Sequence, residues 1–279
     1  MRFYMAKQYF WYLLKAKSYS QLHSPLLFGI AQKLLAPKAV LRHNENIEAL
    51  RFQLVANQNY INKTDYGAGS ISGNQVQTKI SSIASASLST AAASARLAEL
   101  AYWMKAKSIL ELGTSLGTNT LYLHKLNPDA NIITLEGDPE IAKIALHNFT
   151  QLASTNIDLR VGTFKKLLPE VLLHNTFDFV YIDGDHRLAP TMEYLQLILP
   201  HLENQSVIVL DDIHWSPEMT EAWERIKKMD AFTYSLDLFD QGWLFKIPGT
   251  QKQDFIIRTR KFGTKTVPSV AKSLDNTNS

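Results

Sequence analysis

Ile109-Leu110-Glu111-Leu112-Gly113-Thr114-Ser115-Leu116-Gly117-Thr118-Asn119-Thr120 is the stretch whose reading decides the fold. A short β-rich run, Ser108–Leu112, gives way to two glycines and then to a helix start that Thr118 or Asn119 is placed to cap. The spacing is Gly-x-x-x-Gly with an acidic residue two before the first glycine, not the Gly-x-Gly-x-x-Gly of dinucleotide binding. That difference is chemical. A pyrophosphate is held tightly by a helix N-terminus, whereas a cationic sulfonium amino acid carries no phosphate and is favoured by a carboxylate. Glu111 is placed to face such a cation, and Gly113 and Gly117 let backbone approach the ligand closely.

Outward from this turn, Ile132–Glu136, Ile157–Val161, Phe177–Ile182 and Ser206–Leu210 are further strand candidates. Pro139–Leu152 and Leu188–Leu202 between them have helical periodicity. This alternation predicts βαβ crossovers and a parallel sheet covered on both faces. Phe232–Asp237 and Gly242–Lys246, joined by Leu238–Gln241, read as a closing hairpin. The expected fold class is therefore α/β and Rossmann-like: a mostly parallel seven-stranded sheet with an antiparallel last strand, unlike an all-parallel dinucleotide fold.

Ligands in open α/β sheets sit outside the carboxyl ends of the strands, so those ends hold the candidate site. Glu136 closes the second strand and can accept hydrogen bonds from both ribose hydroxyls, which indicates an adenosyl ligand without saying which one. Gly162, Thr163 and Phe164 follow the third strand and are positioned to border an adenine ring. Asp183 ends the fourth strand in Tyr181-Ile182-Asp183-Gly184-Asp185-His186, and Asp211 and Asp212 end the fifth in Leu210-Asp211-Asp212-Ile213-His214-Trp215. If these strands are neighbours, three carboxylates converge, and that clustering is costly without compensation. A hard divalent cation such as magnesium, manganese or calcium would relieve it; the alternative is that Asp211 and Asp212 cap the next helix. His186 reads either as a general base suited to neutral pH or as a loop histidine bonded to backbone. His214 and Trp215 are candidates for the acceptor pocket, Trp215 equally for core packing.

The runs ELGTSLG, LEGD, FDFVYIDGDH and VIVLDDIHW, in that order, resemble the class I S-adenosylmethionine-dependent methyltransferases, and among them the catechol and caffeoyl-CoA O-methyltransferase-like branch. The resemblance covers roughly residues 105 to 248, and the upstream DYGAGS and HSP segments are similar to uncharacterised bacterial members. It implies a Rossmann-like methyltransferase fold and S-adenosyl-L-methionine as cofactor, with Glu111, Gly113, Thr114, Ser115 and Gly117 around its methionine end, Glu136 at the ribose, and Gly162, Thr163 and Asp183 completing the site. It further implies a Mg²⁺ or other divalent ion on Asp183, Asp211 and Asp212, an acceptor hydroxyl, and catalytic roles for His186 and Asp183. Two departures stand out: Asp212 replaces the usual asparagine ligand, and His186 replaces the catalytic lysine. Metal independence therefore stays open.

Composition narrows the classes. The 279 residues are 46% hydrophobic and 20% charged with a net charge of +3, an ordinary globular balance with ample apolar material for a core. Cysteine is absent, which excludes disulfides, zinc-thiolate sites and a cysteine nucleophile, and fits a cytoplasmic setting. No apolar run is long enough to span a bilayer. The aromatic and basic N-terminus, MRFYMAKQYFWYLLKAKSYS, reads as an amphipathic helix packed on the body, with an interfacial membrane helix as the sharper alternative.

Residues 1–104 read as a mostly helical extension or lid, with Ser24 capping a helix that starts at Pro25, a flexible Asp65–Ser70 loop, and a helix from Ile80 to Met104. Residues 105–250 form the cofactor-binding core, and 251–279 a C-terminal segment with an unstructured polar tail. The expected partner is a small-molecule acceptor; a homodimer is left open. Nucleic acid has no strong signal. The Asp/Asn-Pro-Pro-aromatic motif of amino-group methylation is missing, although Arg258, Arg260, Lys261 and Lys265 keep RNA binding open. A metal-independent methyltransferase acting on RNA or another macromolecule, an NAD-dependent oxidoreductase on a related fold, and a non-catalytic cofactor-binding protein are the alternative readings.

Overall fold

The computed structural model describes residues 2–35, 42, 44–65 and 74–259. The N-terminal region folds as helices α1 (Arg2–Lys15), α2 (Pro25–Leu34) and α3 (Glu45–Ala56), a hairpin of β1 (Tyr60–Asp65) and β2 (Asn74–Lys79), and helices α4 (Ile80–Ser87) and α5 (Ala91–Met104). The chain continues through β3 (Ser108–Leu112), α6 (Thr118–Leu126), β4 (Asn131–Glu136), α7 (Pro139–Gln151), β5 (Ile157–Val161), α8 (Phe164–Leu172), β6 (Phe177–Ile182) and α9 (Leu188–Ile198). It ends with β7 (Leu202–Asp211), α10 (Pro217–Ile226), β8 (Tyr234–Asp237), β9 (Gln241–Lys246) and β10 (Gln253–Ile256).

Side-chain caps fix where several helices begin. Ser24 accepts from the Leu27 amide with Pro25 at the first helical position, as the sequence led us to expect. Thr90 accepts from the Ala93 amide and restarts the chain as a new helix, so the expected run from Ile80 to Met104 is two helices rather than one. The polar stretch after Asn57, where no strand was expected, contains the β1–β2 hairpin, paired from Tyr60 and Lys79 to Asp65 and Asn74. Residues 66–70 of the expected Asp65–Ser70 loop, and the tail from residue 260, lie outside the described residues.

The main sheet has the order β10-β8-β9-β7-β6-β3-β4-β5. The pairs β3–β4, β3–β6, β4–β5 and β6–β7 are parallel, while β9 runs antiparallel to both β7 and β8. The seven expected strands are β3 to β9, with the reversed strand in place. β10 adds an eighth, parallel to β8, inside the C-terminal segment 251–279, where no strand was expected. Its pairing is helped by Ser235 donating to Asp254 at 2.6 Å. Successive strands leave β3 in opposite directions, β4 on one side and β6 on the other. The crevice above the carboxyl ends of β3 and β6 is thus the switch point where ligands collect.

Alternating side chains divide the core in two. Ile109, Phe179, Tyr181, Val207 and Val209 face the layer that includes α2, α3, α5 and α6. Leu110, Leu112, Val180, Ile182 and Ile208 face α8, α9 and α10. The N-terminal helices share the first cluster with the sheet, so the extension is built onto the core through apolar burial. Helix α1 docks on the far edge, where the buried Tyr12 hydroxyl donates to the Ile257 carbonyl at 2.6 Å and Lys17 pairs with Ile257.

Candidate active site

The turn after β3 is pinned from both sides. The Gly113 and Thr114 amides both donate to the Leu135 carbonyl, at 3.0 and 3.1 Å. Gly113 has φ of 105°, and a Cβ there would lie 2.1 Å from the Asp183 carbonyl oxygen, so only glycine fits between β3 and β6. Ser115 is also left-handed, with φ of 49°. It is held there by its amide donating to Glu136 at 2.8 Å and by its hydroxyl bonding Ser87 at 2.8 Å. Gly117, at φ of 79°, is the residue that starts α6, with no side-chain cap. Neither Thr118 nor Asn119 caps the helix. Asn119 instead accepts from Ser94 at 2.6 Å and donates to Ser89 and Tyr181 at 3.1 and 3.4 Å.

Two carboxylates, one strand apart, behave differently. Glu111 is fully buried and is absent from the cavity wall. Its Oε2 accepts from Thr120 and Thr134, its Oε1 is buried with no partner among the described residues, and burial pushes its pKa up to about 7 despite those two hydrogen bonds. An orphaned buried oxygen behind a glycine turn suits a ligand carrying positive charge. Glu136 lines the cavity and accepts from the amides of Ser115 and Asp138, at 2.8 and 2.9 Å. Burial pushes its carboxyl up as well, against the lowering effect of those amides.

A cavity of about 420 Å³ opens at these strand ends. Gly113, Ser115, Glu136, Thr163, Phe164 and Asp183 lie on one wall or another, bringing together residues from four of the predicted motifs. Glu111, Gly117 and Gly162 stand behind it. Gly162 donates its amide to the Glu136 carbonyl at 2.8 Å, and Thr163 precedes α8. Sequence reasoning missed the rest of the lining. Asp185, Arg187 and Tyr194 come from the loop and helix after β6, with Tyr194 donating to Asp185 at 3.1 Å and set edge-on to Phe164. Lys63, Thr64, Ile83 and Ser87 come from the N-terminal extension. The Thr64 amide donates to Asp138, the same carboxylate that caps α7. Asp138-Pro139 was the available signal for that cap; nothing local marks Tyr194 or Lys63.

On the β6–β7 side, the Tyr181 hydroxyl lies 3.0 Å from Asp183 Oδ2 and 3.1 Å from Asp211 Oδ2. One phenol supplies one proton, so two carboxylates compete for it. Burial, then the Asp183 and Asp212 charges, hold the Asp211 carboxyl well above its usual range. Asp212 is left-handed at φ of 54° and donates its amide to the Asp240 carbonyl at 2.7 Å. Asp240 in turn pairs with buried Arg96 at 3.0 Å. Among the described residues, no three His, Asp or Glu side chains are gathered as ligands for a metal ion. His186 Nε2 stands 3.7 Å from Asp183 Oδ1, beside the cavity wall rather than on it. His214 is buried and pairs with Asp237 at 2.8 Å, while Trp215 is exposed, and neither lines the cavity.

The strand order with its reversed β9 is that of a Rossmann-like α/β fold, with the glycine turn and the acidic end of β4 meeting at one cavity. Residues 110–213 match the family model described as a methyltransferase domain. The catechol O-methyltransferase of Niastella koreensis is 34% identical over 118 residues, covering 41% of this chain and 52% of the relative. The catechol O-methyltransferase domain-containing protein 1 of Mus musculus is 30% identical over 140 residues, covering 48% and 53%. The chain thus spans about half the length of these curated relatives. Among solved structures, the O-methyltransferase TomG from Streptomyces achromogenes, in complex with SAM, superposes with a TM-score of 0.55 at 18% identity, covering 75% of this chain and 92% of that one. The O-methyltransferase from Bacillus cereus, in complex with SAH, gives 0.51 at 20% identity, covering 58% and 83%. At these identities the likeness is one of fold.

Proposed function

We propose that this chain is an S-adenosylmethionine-dependent methyltransferase that transfers a methyl group to the hydroxyl oxygen of a small-molecule acceptor. The observation that carries this reading is the single cavity in which the Gly113–Ser115 turn, Glu136 and Asp183 share a wall at the switch point of the sheet. Its volume of about 420 Å³ is in the range of a small-molecule site. The orphaned Glu111 Oε1 supplies the buried negative partner that a sulfonium amino acid calls for.

In this reading Gly113, Thr114, Ser115 and Gly117 shape the methionine end of the cofactor site, with Glu111 behind them. Glu136 receives the ribose hydroxyls on lone pairs its two amide donors leave free, and Gly162, Thr163 and Asp183 complete the site. The cofactor, when bound, supplies an electrophilic methyl group. His186 takes the acceptor's proton, and the Asp183 carboxylate beside it stabilises the imidazolium that forms. Tyr181 holds Asp183 and Asp211 at fixed spacing below the acceptor. Residues 1–104 act as a covering extension on the 105–250 core, with Lys63, Thr64 and Ser87 closing the cavity against water. A divalent ion does not fit this arrangement of Asp183, Asp211 and Asp212, because the Tyr181 hydroxyl occupies the space between two of them. No step is routed through one.

Titration calorimetry with S-adenosylhomocysteine and NAD side by side tests the cofactor. Binding of the first and not the second is expected, and the reverse result would overturn the reading. A screen of phenols, catechols and other hydroxyl compounds with methyl-labelled cofactor then tests the acceptor class. Label appearing only in RNA or protein would replace the small-molecule acceptor.

A further inference from the structure

We propose that α1 is an in-plane membrane-binding helix that seats this protein on an anionic lipid surface. Its two faces are partitioned by the 3.6-residue repeat. Tyr12 points into the body and is buried, with its hydroxyl on Ile257 and its ring against Phe239. Phe3, Phe10 and Leu14, at i, i+7 and i+11, lie about half a turn round from Tyr12 and are 86%, 58% and 62% exposed. Trp11 beside them is 48% exposed. Four large apolar side chains on one short helix are an expensive display in water, and single scattered exposures do not account for a stripe of this kind.

Charge selects the occupant. Residues 1–44 contain seven lysines and arginines and no aspartate or glutamate, the first acidic residue being Glu45. With a net charge of only +3 over the whole chain, that excess is local and is offset by acid elsewhere. Lys7, Lys15 and Lys17 are exposed on α1 and just after it. Arg258 joins them from the opposite end of the chain, donating to the Leu13 carbonyl at 2.9 Å, and Arg260, Lys261 and Lys265 follow in sequence. Aromatic and aliphatic side chains flanked by basic ones are the chemistry of a helix lying at the headgroup boundary of an anionic bilayer. At 14 residues, α1 lies on a bilayer rather than crossing it. A second copy fits less well, because a twofold pairing would set Lys7 and Lys15 against their own counterparts. Helix α1 also packs on Phe239 through Tyr9 and Tyr12, and Phe239 adjoins Asp240, which holds the Asp212 amide. Surface attachment and the acceptor side of the site are therefore one loop apart.

The test is flotation of the full chain with vesicles of phosphatidylcholine alone or mixed with phosphatidylglycerol, at low and high salt. Binding is expected to the mixed vesicles only and to fall with salt. Lys7→Glu with Lys15→Glu should weaken partitioning at least roughly tenfold. Phe10→Ser with Leu14→Ser should abolish it, with affinity for S-adenosylhomocysteine unchanged in both variants as the check on folding. Failure to float with either vesicle, equal binding to both, or indifference to the α1 substitutions overturns the proposal. So does a lipid-free dimer that Phe10→Ser with Leu14→Ser dissociates, which would assign the stripe to a second copy.

Discussion

On the β3–β4 side of the carboxyl edge, the cavity wall comes from one turn and the end of the next strand, and the turn itself is held through its backbone amides. Gly113, Thr114 and Ser115 are held by the Leu135 carbonyl and the Glu136 carboxylate. On the β6–β7 side, side chains from segments far apart in sequence meet one another. Ser94 of α5 bonds Asn119, Asn119 bonds Tyr181, and Tyr181 bridges Asp183 and Asp211. A site assembled from backbone has one permitted shape. A site assembled from side chains can be retuned by substitution, which suits the half proposed to meet the acceptor.

The sharpest way to break the backbone half is Gly113→Ala. Its Cβ would sit 2.1 Å from the Asp183 carbonyl, in a region of φ that L-residues rarely adopt. We expect roughly 3 kcal/mol or more of destabilisation, read by denaturant unfolding, and loss of S-adenosylhomocysteine binding by calorimetry. An unaltered unfolding midpoint would mean the turn relaxes freely and the contrast between the halves is wrong.

Glu111 gives a pH-dependent probe of the same half. Its native pKa of about 7 lies above the ordinary carboxyl value of 4.5, so the folded chain keeps a proton that the unfolded chain releases in that window. The sign follows directly: stability from this group is complete below the unfolded pKa and is lost as pH rises through about 7. The full difference is about 3 kcal/mol. Glu111→Gln should flatten stability against pH over that window and raise it at alkaline pH, measured by urea unfolding across a pH series. The same variant should bind S-adenosylmethionine, which carries the sulfonium charge, more weakly at alkaline pH, where the wild-type carboxylate is charged. A parallel slope in both proteins would place the titrating group elsewhere.

Glu136→Gln is a smaller change. Glutamine keeps one accepting oxygen, and the amide nitrogen that replaces the other cannot accept, so either the Ser115 or the Asp138 amide loses its partner and cofactor affinity should fall roughly tenfold to a hundredfold. Turnover at saturating cofactor should hold. In the side-chain half, Tyr181→Phe should do the opposite, lowering turnover with cofactor affinity unchanged. If the two variants show the same pattern, the division into halves fails.

These halves also differ in how far the sequence revealed them. The strand-turn-helix at Ser108–Thr120, Glu136 and the hairpin that reverses β9 are local patterns, and each fell where it was expected. Period, glycine spacing and strand-end acids carry that information within about twenty residues. What stayed illegible depends on tertiary placement. The β1–β2 hairpin that puts Lys63 and Thr64 on the cavity wall lay in a polar stretch with no alternation, and Tyr194 arrives from a helix whose face is set by packing. The strand β10 does not stand out in sequence because its four residues mix Gln253 and Asp254 with Phe255 and Ile256 without alternation. The roles of Asn119 and His214 also changed on folding, one becoming part of the Tyr181 network and the other a buried partner of Asp237.

The smallest expected effect is on metal removal, and it bears on the side-chain half alone. Three strand-end aspartates suggested a divalent ion, yet the phenol of Tyr181 stands between Asp183 and Asp211 and the Asp212 amide is turned toward Asp240. A neutral hydroxyl shared by two carboxylates relieves part of the repulsion that a cation would otherwise relieve. With an acceptor identified, dialysis against EDTA should therefore leave turnover within about twofold, and added Mg²⁺ should not raise it further. Turnover abolished by EDTA and restored by Mg²⁺ would mean that Tyr181 yields its place when the ion arrives. In that event Tyr181→Phe should tighten Mg²⁺ dependence rather than lower turnover, which separates a metal-assisted site from one held by the phenol.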